Sequence, residues 1–582
     1  FTKKSLFIDF NPTSTGAIHC GNEIIRFWEF NGRNMTFQDA LLGNRAKLQG
    51  FMCAGWIGNN AVVGTADGCI YRFVGRQLDG TTQAHSGSVN AIASHSDGIC
   101  TSSSDGYIKL WTRILECRLV IDSKNLRCLN TNIRCVDWNV NKGRIILGTL
   151  SGEIYEVGDG DGENLYRGAL TEGHSGEELW GMSAHPQKDL FATVGDDAIL
   201  RVWDVYTHLC NATISLEMPA RCCAFSPDGR KLAIGFGSPK KLSARQYDGK
   251  WIIMDTEDYQ ISHEARDSTK WLTDCKFSPS GEFLAMGSYD NKIYIYNVFS
   301  GYALNATISQ HQAFITNFDF SDDSEWLQSN CAGFELNFFE VDTGMFIPAP
   351  SRLRDTAWQT QNCTMGWAVQ GIWPAHKDGT EITVCECNLF RSGDGPIIAS
   401  GDNYGRVSLR RYPSTSNFSA SKQYRASSSP ITRMRFAAGD AFLMSISGVD
   451  KAIFQWSHAR DRAQGIAWNP NDRVGVVNEE EEDIVKYFGL SSTDDPLPDM
   501  SELKSLISSR PWVASVVPPS TIPPPNDGKP DYRLEPAHIF GSQCALTRGS
   551  TKYNCNGNIV YPVSKCITVY DKKKNEQLYY LS

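Results

Sequence analysis

The chain has 582 residues, of which 41% are hydrophobic and 21% are charged, so it is long enough for more than one domain with a sizeable core. Its net charge is −9, and −7 of this lies in residues 463–532, which hold twelve acidic and five basic residues. The rest of the chain carries a net charge of only −2, so it lacks the overall positive charge that would attract nucleic acid. No apolar run reaches the roughly 18 residues of a membrane span.

The chain begins at Phe1 rather than at a methionine, and no signal-like segment follows, so we expect further sequence before it. Eighteen cysteines are scattered without zinc-ligand spacing, which predicts buried, reduced thiols in an intracellular protein. Asn-x-Ser/Thr sequons point weakly the other way, and they begin at Asn34, Asn211, Asn305, Asn362 and Asn417.

A repeated pattern runs through most of the chain: a turn residue is followed six positions later by a large apolar or aromatic residue that ends a short strand. The clearest copies are DGYIKLW at 105–111 and DAILRVW at 197–203. The markers are Asn22, Asp67, Asp105, Ser151, Asp197, Asp248, Asp290, Gly333, Tyr404 and Asp450, at intervals of 45, 38, 46, 46, 51, 42, 43, 71 and 46 residues. Such a period is typical of a propeller blade of four antiparallel strands.

Two of these repeats carry a fuller polar signature. One contains His85, Thr101, Asp105 and Trp111, and the other contains His174, Thr193, Asp197 and Trp203. Both sets resemble the hydrogen-bonded tetrad of WD-repeat propellers, which ties neighbouring strands of a blade together. A catalytic use of His174 with Asp197 is the alternative, and we prefer the structural interpretation. Most other repeats lack the tetrad, so these propellers are atypical.

The interval of 71 residues contains about 25 additional residues beyond one period, RDTAWQTQNCTMGWAVQGIWPAHKDGTEI at 354–382. This stretch resembles the insertion in the second propeller of echinoderm microtubule-associated protein-like (EML) proteins. The match is carried by Gly371, Ile372, Trp373, Pro374, Asp378, Gly379, Thr380, Glu381 and Ile382. The tryptophans Trp358, Trp367 and Trp373 predict burial against the propeller body, with a ligand cage as the alternative.

The segments LEPAHIFGSQ at 534–543 and GNIVYPVSKCITVYDKKKNEQLYYL at 557–581 are similar, with more divergence, to the hydrophobic EML motif that opens a propeller unit. The resemblance implies an all-β chain of tandem, atypical WD-repeat β-propellers, the first of them incomplete, from a long multi-unit member of the family. We predict later blades of a first propeller in 1–170 and a second propeller in 171–462 with the insertion 354–382. An acidic, proline-rich linker follows in 463–532, and a further unit begins in 533–582.

Motifs of enzymes are missing from the sequence: it has no phosphate-binding loop, no His-Glu-x-x-His and no Gly-x-Ser-x-Gly. We therefore predict a protein that is not an enzyme, without cofactor, metal or small-molecule substrate. Short basic clusters are candidate partner contacts, with solvated loop charges as the alternative. They comprise Lys240, Lys241, Arg410, Arg411, Arg460 and Arg462.

The resemblance supplies tubulin and microtubules as expected partners, together with other cytoskeletal or axonemal proteins, and neither nucleic acid nor a membrane. It implies a microtubule-associated scaffold in the cytoplasm and cytoskeleton, and we extend this expectation to the ciliary or flagellar axoneme. The alternative is a generic WD-repeat adaptor, such as a substrate receptor in a ubiquitin ligase or a member of a signalling complex.

Overall fold

The computed structural model describes residues 4–237, 248–373, 382–388, 396–416, 419–425, 427–460, 512, 515–524, 527–544 and 547–581. Strands are the main element, and they form sheets of three or four antiparallel strands. The prediction of an all-β protein made of propeller blades is confirmed. The chain forms two compact units, one from residues 1–175 with 540–582 and one from residues 176–539.

The first unit contains four sheets from its N-terminal part, one for each repeat predicted in residues 1–170. Neighbouring sheets pack through their innermost strands, β1 on β5, β5 on β9 and β9 on β13. The strands are β1 (Ser5–Phe10), β2 (Gly16–Gly21), β3 (Ile24–Asn31), β4 (Asn34–Asp39), β5 (Phe51–Ile57), β6 (Asn60–Thr65), β7 (Cys69–Val74), β8 (Gln77–Gln83), β9 (Val89–His95), β10 (Gly98–Ser103), β11 (Tyr107–Thr112), β12 (Cys117–Asp122), β13 (Ile133–Asn139), β14 (Arg144–Thr149) and β15 (Ile154–Gly158).

The second unit contains six sheets, whose last strand, β38, comes from beyond the predicted linker. Its strands are β16 (Leu179–Ala184), β17 (Leu190–Gly195), β18 (Ile199–Asp204), β19 (Cys210–Ser215), β20 (Ala220–Phe225), β21 (Lys231–Phe236), β22 (Lys250–Asp255), β23 (Ile261–Arg266), β24 (Leu272–Phe277), β25 (Phe283–Ser288), β26 (Ile293–Asn297), β27 (Ala303–Ile308), β28 (Ile315–Phe320), β29 (Trp326–Cys331), β30 (Leu336–Glu340), β31 (Ile382–Cys387), β32 (Ile397–Asp402), β33 (Arg406–Arg411), β34 (Lys422–Arg425), β35 (Ile431–Phe436), β36 (Phe442–Ser447), β37 (Ile453–Arg460) and β38 (Tyr532–Phe540).

The C-terminal segment, predicted to begin a further unit, is grouped with residues 1–175 in the first compact unit. It forms a sheet of β39 (Lys552–Tyr553), β40 (Ile559–Val563), β41 (Cys566–Asp571) and β42 (Glu576–Leu581), and β39 packs beside β13 of the first unit. The Tyr553 amide donates to Asp137 Oδ2 at 2.8 Å. A small sheet cannot bury both faces alone, so it joins the apolar face that the neighbouring blade offers.

The sheets of the second unit are arranged in a ring. β16 packs on β20, β20 on β24, β24 on β28, and β31 on β35, and β35 returns to β16. At this last contact the Leu179 amide donates to Gly448 O at 3.0 Å, and the Thr432 hydroxyl donates to Leu179 O at 2.9 Å. Contacts between the innermost strands therefore join the first sheet of the unit to its last.

Burial within a sheet follows its sequence. Strand β25 is the apolar run FLAMGS and is buried along its length, whereas the outer strand β27, ALNATI, is mostly exposed. Continuous apolar runs suit strands covered on both faces by neighbouring blades. Short 3₁₀ helices lie at Gly43–Arg45, Ser123–Leu126, Val140–Lys142, Pro350–Leu353, Trp367–Ile372 and Ala438–Asp440. Among the described residues, no helix has the length and apolar character needed to cross a membrane.

Candidate functional site

The first predicted tetrad is assembled in the blade β9–β12. His85 Nε2 lies 2.9 Å from Thr101 Oγ1, and His85 Nδ1 lies 3.2 Å from Asp105 Oδ2. Trp111 Nε1 donates to the same Thr101 oxygen at 2.9 Å. Burial lowers the pKa of His85 more than the neighbouring Asp105 raises it, so the imidazole is neutral at pH 7. Both ring nitrogens have partners within the blade, which is the arrangement of a structural clasp.

Three members of the second predicted tetrad, Thr193, Asp197 and Trp203, belong to the second compact unit. Trp203 Nε1 donates to Thr193 Oγ1 at 2.8 Å, as Trp111 does to Thr101. Asp197 Oδ2 accepts from the guanidinium of Arg201 at 3.0 Å, and both side chains are buried. His174 is also buried and belongs to the first compact unit. Asp197 therefore pairs with a cation of its own blade.

A third histidine network, in the blade β28–β30, was missed by the sequence analysis. His311 Nδ1 lies 3.1 Å from Glu335 Oε2, and His311 Nε2 lies 2.6 Å from Ser329 Oγ. The amide of the residue after the histidine donates to the carboxylate in both blades: Ser86 to Asp105 at 3.0 Å and Gln312 to Glu335 at 3.1 Å. Glutamate and serine thus take the places of aspartate and threonine. Cys331 Sγ donates to Glu335 at 3.3 Å, so these potential metal ligands already have partners within the blade.

Two blades that have serine at the position of the tetrad histidine keep the carboxylate part of the network. The Ser268 hydroxyl donates to Asp290 Oδ2 at 3.0 Å, and the Ser427 hydroxyl donates to Asp450 Oδ2 at 3.0 Å. The next amide donates to the same oxygen, Ser428 to Asp450 at 2.8 Å. Serine therefore replaces histidine while the carboxylate remains. The markers Asp290 and Asp450 located these blades in the sequence, and a search for a carboxylate rather than a full tetrad would also have found their networks.

Buried charges on the innermost strands link different blades of the second unit. Arg433 of β35 pairs with Asp274 of β24 at 3.0 Å, and Arg435 of β35 pairs with Glu386 of β31 at 2.8 Å. Burial raises the pKa of Glu386, although Arg435 opposes the shift. Charges removed from water are tolerated when they are paired and hydrogen-bonded, so these pairs fix how the blades meet.

The insertion lies between the innermost strands of two blades, β28 and β31. The Gln359 amide donates to Phe320 O of β28 at 2.9 Å, and the Cys387 amide of β31 donates to Thr360 O at 3.0 Å. Asp319, fully buried, accepts the Gln361 amide at 2.7 Å. The insertion therefore fills the space between two repeats as a backbone wedge.

A lysine completes the anchoring of this wedge. Lys276 Nζ of β24 lies 2.6 Å from Asp319 Oδ1 and 2.6 Å from Thr360 Oγ1. At the other end of the insertion, the Gly371 amide donates to Ser414 O at 2.8 Å. A Cβ at Gly371 would lie 2.4 Å from Ser416 O, so only glycine allows this approach. The insertion is thus an ordered part of the propeller, while residues 374–381 of it lie outside the described part.

The basic residues predicted to contact a partner have different environments in the structure. Arg410 is buried and donates to Ser400 Oγ at 3.3 Å inside its blade, which removes it from the candidate surface contacts. Its position in β33 explains this, because alternate side chains of a strand face opposite sides. Arg411 points outward and holds Asp531 at 3.0 Å through both carboxylate oxygens. Lys240, Lys241 and Arg462 lie outside the described residues, as does the side chain of Arg460.

Thirteen of the eighteen cysteines are buried. Burial raises the pKa of the Cys363 thiol in the insertion and of the Cys385 thiol beside it in β31. Cys385 Sγ donates to Gln361 O at 3.2 Å. These thiols are apolar packing groups that also satisfy carbonyls of the wedge, rather than reactive nucleophiles.

Comparisons with known proteins agree with the architecture. Residues 179–458 match the family model described as the echinoderm microtubule-associated protein second beta-propeller, and residues 76–112 match the WD domain, G-beta repeat. The mouse protein named echinoderm microtubule-associated protein-like 2 is 30% identical over 469 residues, which cover 78% of this chain and 68% of that relative.

Similarity extends to longer relatives. Echinoderm microtubule-associated protein-like 4 of Xenopus laevis is 29% identical over 476 residues, which cover 78% of this chain and 49% of that protein. The human protein of the same name is 28% identical over 535 residues, covering 87% of this chain and 52% of its own length. The chain thus spans about half the length of these two relatives. The predicted family is confirmed, and the chain belongs to the echinoderm microtubule-associated protein-like family.

Proposed function

We propose that this protein is a non-enzymatic, microtubule-associated scaffold that docks on tubulin through the shape of its propellers. The observation that carries the proposal is family membership, because relatives with 28–30% identity bear the name microtubule-associated protein-like. The described side chains support it further: His85, His311 and Cys385, groups that could act in chemistry, are engaged in hydrogen bonds.

Charge favours docking by shape over attraction by bulk electrostatics. Residues outside 463–532 carry a net charge of only −2, so most of the molecule has little long-range attraction for an acidic polymer surface. The paired charges of the second unit, such as Glu386 with Arg435, make its blades a defined surface rather than an adaptable one. A surface of fixed shape can recognise a regular lattice through many weak contacts at once.

Local basic residues would then adjust the orientation of docking. We assign this role to Lys240, Lys241, Arg411, Arg460 and Arg462, each of which could make charge-assisted contacts with acidic groups of tubulin. For Arg411 the contact competes with its bidentate pair to Asp531, and the Arg411 side chain is 31% exposed in that pair. Arg411 is therefore the weakest contributor of the group.

Co-sedimentation of the full chain with stabilised microtubules tests the proposal. We expect saturable pelleting of the wild-type protein and weaker pelleting, by roughly threefold to tenfold, of K240E/K241E, because two attractive contacts become repulsive. The matched control is K124E/R127E, which reverses two exposed charges in the first unit and should bind like the wild type. Absence of pelleting at any salt concentration contradicts the proposal.

We further propose the ciliary or flagellar axoneme as the place of action, because a chain of tandem propellers suits a permanent lattice. Fluorescent tagging of the parent protein in ciliated cells should show it along the axoneme. If the protein is instead a generic adaptor, affinity purification with mass spectrometry should recover ligase or signalling subunits without tubulin.

A further inference from the structure

The insertion forms one wall of an apolar groove in the second unit. Its apolar side chains belong to one packed cluster, which includes Leu336 and Phe338 of β30, Leu353, and Trp358 and Trp373 of the insertion. The rings of Phe338 and Trp358 are tilted against each other, with centroids 6.0 Å apart. Trp373 is held in place because its Nε1 donates to Thr364 O at 2.7 Å. We call this feature the insertion groove.

A segment of the same chain occupies the insertion groove. It is the proline-rich segment of residues 512–524, of which 512 and 515–524 are described. Trp512 is 8% exposed, and its ring centroid lies 6.5 Å from that of Trp373. Val516 packs on the same cluster. A tryptophan anchor followed by prolines on an aromatic-lined groove is the pattern by which extended, polyproline-type peptides are recognised.

Polar contacts fix the register of this peptide. The Ser520 amide donates to Asp355 Oδ1 at 2.8 Å, and the Ser520 hydroxyl donates to Asp355 Oδ2. Both bonds go to one carboxylate of the insertion, and they lower the pKa of Asp355. The side chain of Asp355 lies at the exposed rim of the groove, so it can be changed without disturbing the core.

The segment does not fill its groove. A cavity of about 320 Å³ remains among Phe338, Trp358 and Trp367 on one side and Val517, Pro519 and Pro523 on the other. This cavity is partly open to solvent, so the segment covers only part of the surface that the groove offers. The peptide is therefore bound by its anchor and its register contacts, in the manner of a ligand.

We propose that the insertion groove is a recognition site for tryptophan-anchored, proline-rich peptides, and that residues 512–524 of this chain are its ligand in cis. Recognition of this segment brings the proline-rich part of the linker back onto the second propeller, and the chain then continues into β38. The ligand is separable from the site, so the same sequence supplied as a peptide binds the groove when the cis copy is weakened. This inference is independent of microtubule binding.

A trans-binding assay on the full chain tests the proposal. The variant W512A/V516A removes the cis anchors, and the probe is a fluorescein-labelled peptide of residues 510–526. We expect saturable binding to this variant by fluorescence anisotropy and at least tenfold weaker binding to the wild-type chain, whose groove is occupied. A control peptide that carries W512A and V516A should not bind. Absence of saturable binding to a variant that keeps its far-ultraviolet circular dichroism would overturn the proposal.

A charge swap at the rim tests the register. The S520E peptide places a carboxylate against Asp355 and should bind the W512A/V516A chain about tenfold more weakly than the unmodified peptide. Adding D355R to that chain should reverse the preference, because the pair becomes attractive. Equal affinities for the two peptides in both backgrounds would contradict the assigned register and hence the groove.

The same swap can be made in cis, which keeps the test valid if W512A/V516A fails to fold. Both positions are exposed at the rim, so S520E and D355R leave the core unchanged. Hydrogen exchange of the amides in 515–524 should become faster by about tenfold in S520E and return towards the wild-type rate in S520E/D355R. Wild-type exchange in S520E would show that no groove contact holds the segment, against the proposal.

Discussion

The two compact units are built from the same kind of sheet but secure their buried charges in different ways. In the second unit, the pairs Asp274–Arg433 and Glu386–Arg435 join innermost strands of one continuous ring. In the first unit, the buried Glu156 accepts a hydrogen bond from Tyr553 at 2.6 Å and pairs with Lys572. These two partners lie 397 and 416 positions later in the sequence. The second unit is therefore stabilised from within, whereas the first depends on a distant segment.

The largest expected effect comes from breaking a buried pair in the second unit. R435L leaves the Glu386 carboxylate buried without its main cation, which should lower the free energy of unfolding of this unit by about 3–5 kcal/mol. Urea unfolding followed by hydrogen exchange in each unit measures it, and strands of the first unit should be unaffected. The double variant E386Q/R435M removes both charges and should lose clearly less. An equal loss in single and double variants would show that packing, not charge, is responsible.

The corresponding change in the first unit is E156Q. It removes the negative charge that pairs with Arg144 and Lys572 and one of the two acceptor oxygens of this side chain, and Lys572 is largely buried, so we expect a loss of about 2–4 kcal/mol. Exchange should accelerate in β13–β15 and in β39–β42 together, because Glu156 joins the two segments. Protection that changes in only one of them, or in the second unit, would refute the dependence of the first unit on its distant segment.

Substitutions in the histidine networks of the two units should lower the free energy of unfolding by smaller amounts. T101V removes the hydroxyl that contacts both His85 and Trp111 and should cost about 1–3 kcal/mol. S329A removes a partner of His311 only, because the blade has Phe339 in place of tryptophan, and should cost about 1 kcal/mol. Thermal unfolding of both variants orders them, and a larger loss for S329A would contradict the equivalence of the two networks.

The smallest expected effect is a dependence of the stability of the second unit on pH. His208 and His538 stack with ring centroids 4.1 Å apart, and burial lowers the pKa of both. The charge of His208 lowers the pKa of His538 further, while Asp204 raises that of His208. The unfolded chain therefore binds more protons below about pH 6.5, so this stability is complete above that pH and is lost as pH falls towards the folded pKa values.

H538F removes one of the two titrating groups and should flatten this dependence. The urea midpoint of the second unit between pH 7 and pH 5 measures the change, and His208, His311 and His185 should account for the slope that remains, since burial lowers the pKa of each. A slope that is unchanged in H538F would exclude the histidine pair as its source.

The repeat period allowed the blades to be predicted, because a blade is a local unit of neighbouring strands and turns. The insertion was found for the same reason: 71 residues separate Gly333 from Tyr404 where one period was expected. Its function as a wedge between β28 and β31 was only suggested by tryptophan content, since backbone pairing such as that of Gln359 with Phe320 leaves no mark in composition.

Contacts between residues far apart in sequence were not predictable. Nothing in the periodicity places Lys572 beside Glu156 or Trp512 beside Trp373, because such contacts depend on how whole sheets pack. Arg410 shows a second limit. The pair Arg410-Arg411 was interpreted as one basic cluster, although adjacent residues of a strand face opposite sides and only Arg411 faces outward.

The most direct test of docking by shape is microtubule co-sedimentation after proteolytic removal of the acidic tubulin tails. Tail removal should change the affinity of the full chain by less than about twofold at roughly 100 mM salt, because screening leaves little for bulk electrostatics to contribute. Loss of binding with the tails, or an affinity that falls steeply with salt, would contradict docking by shape and indicate an electrostatic attachment instead.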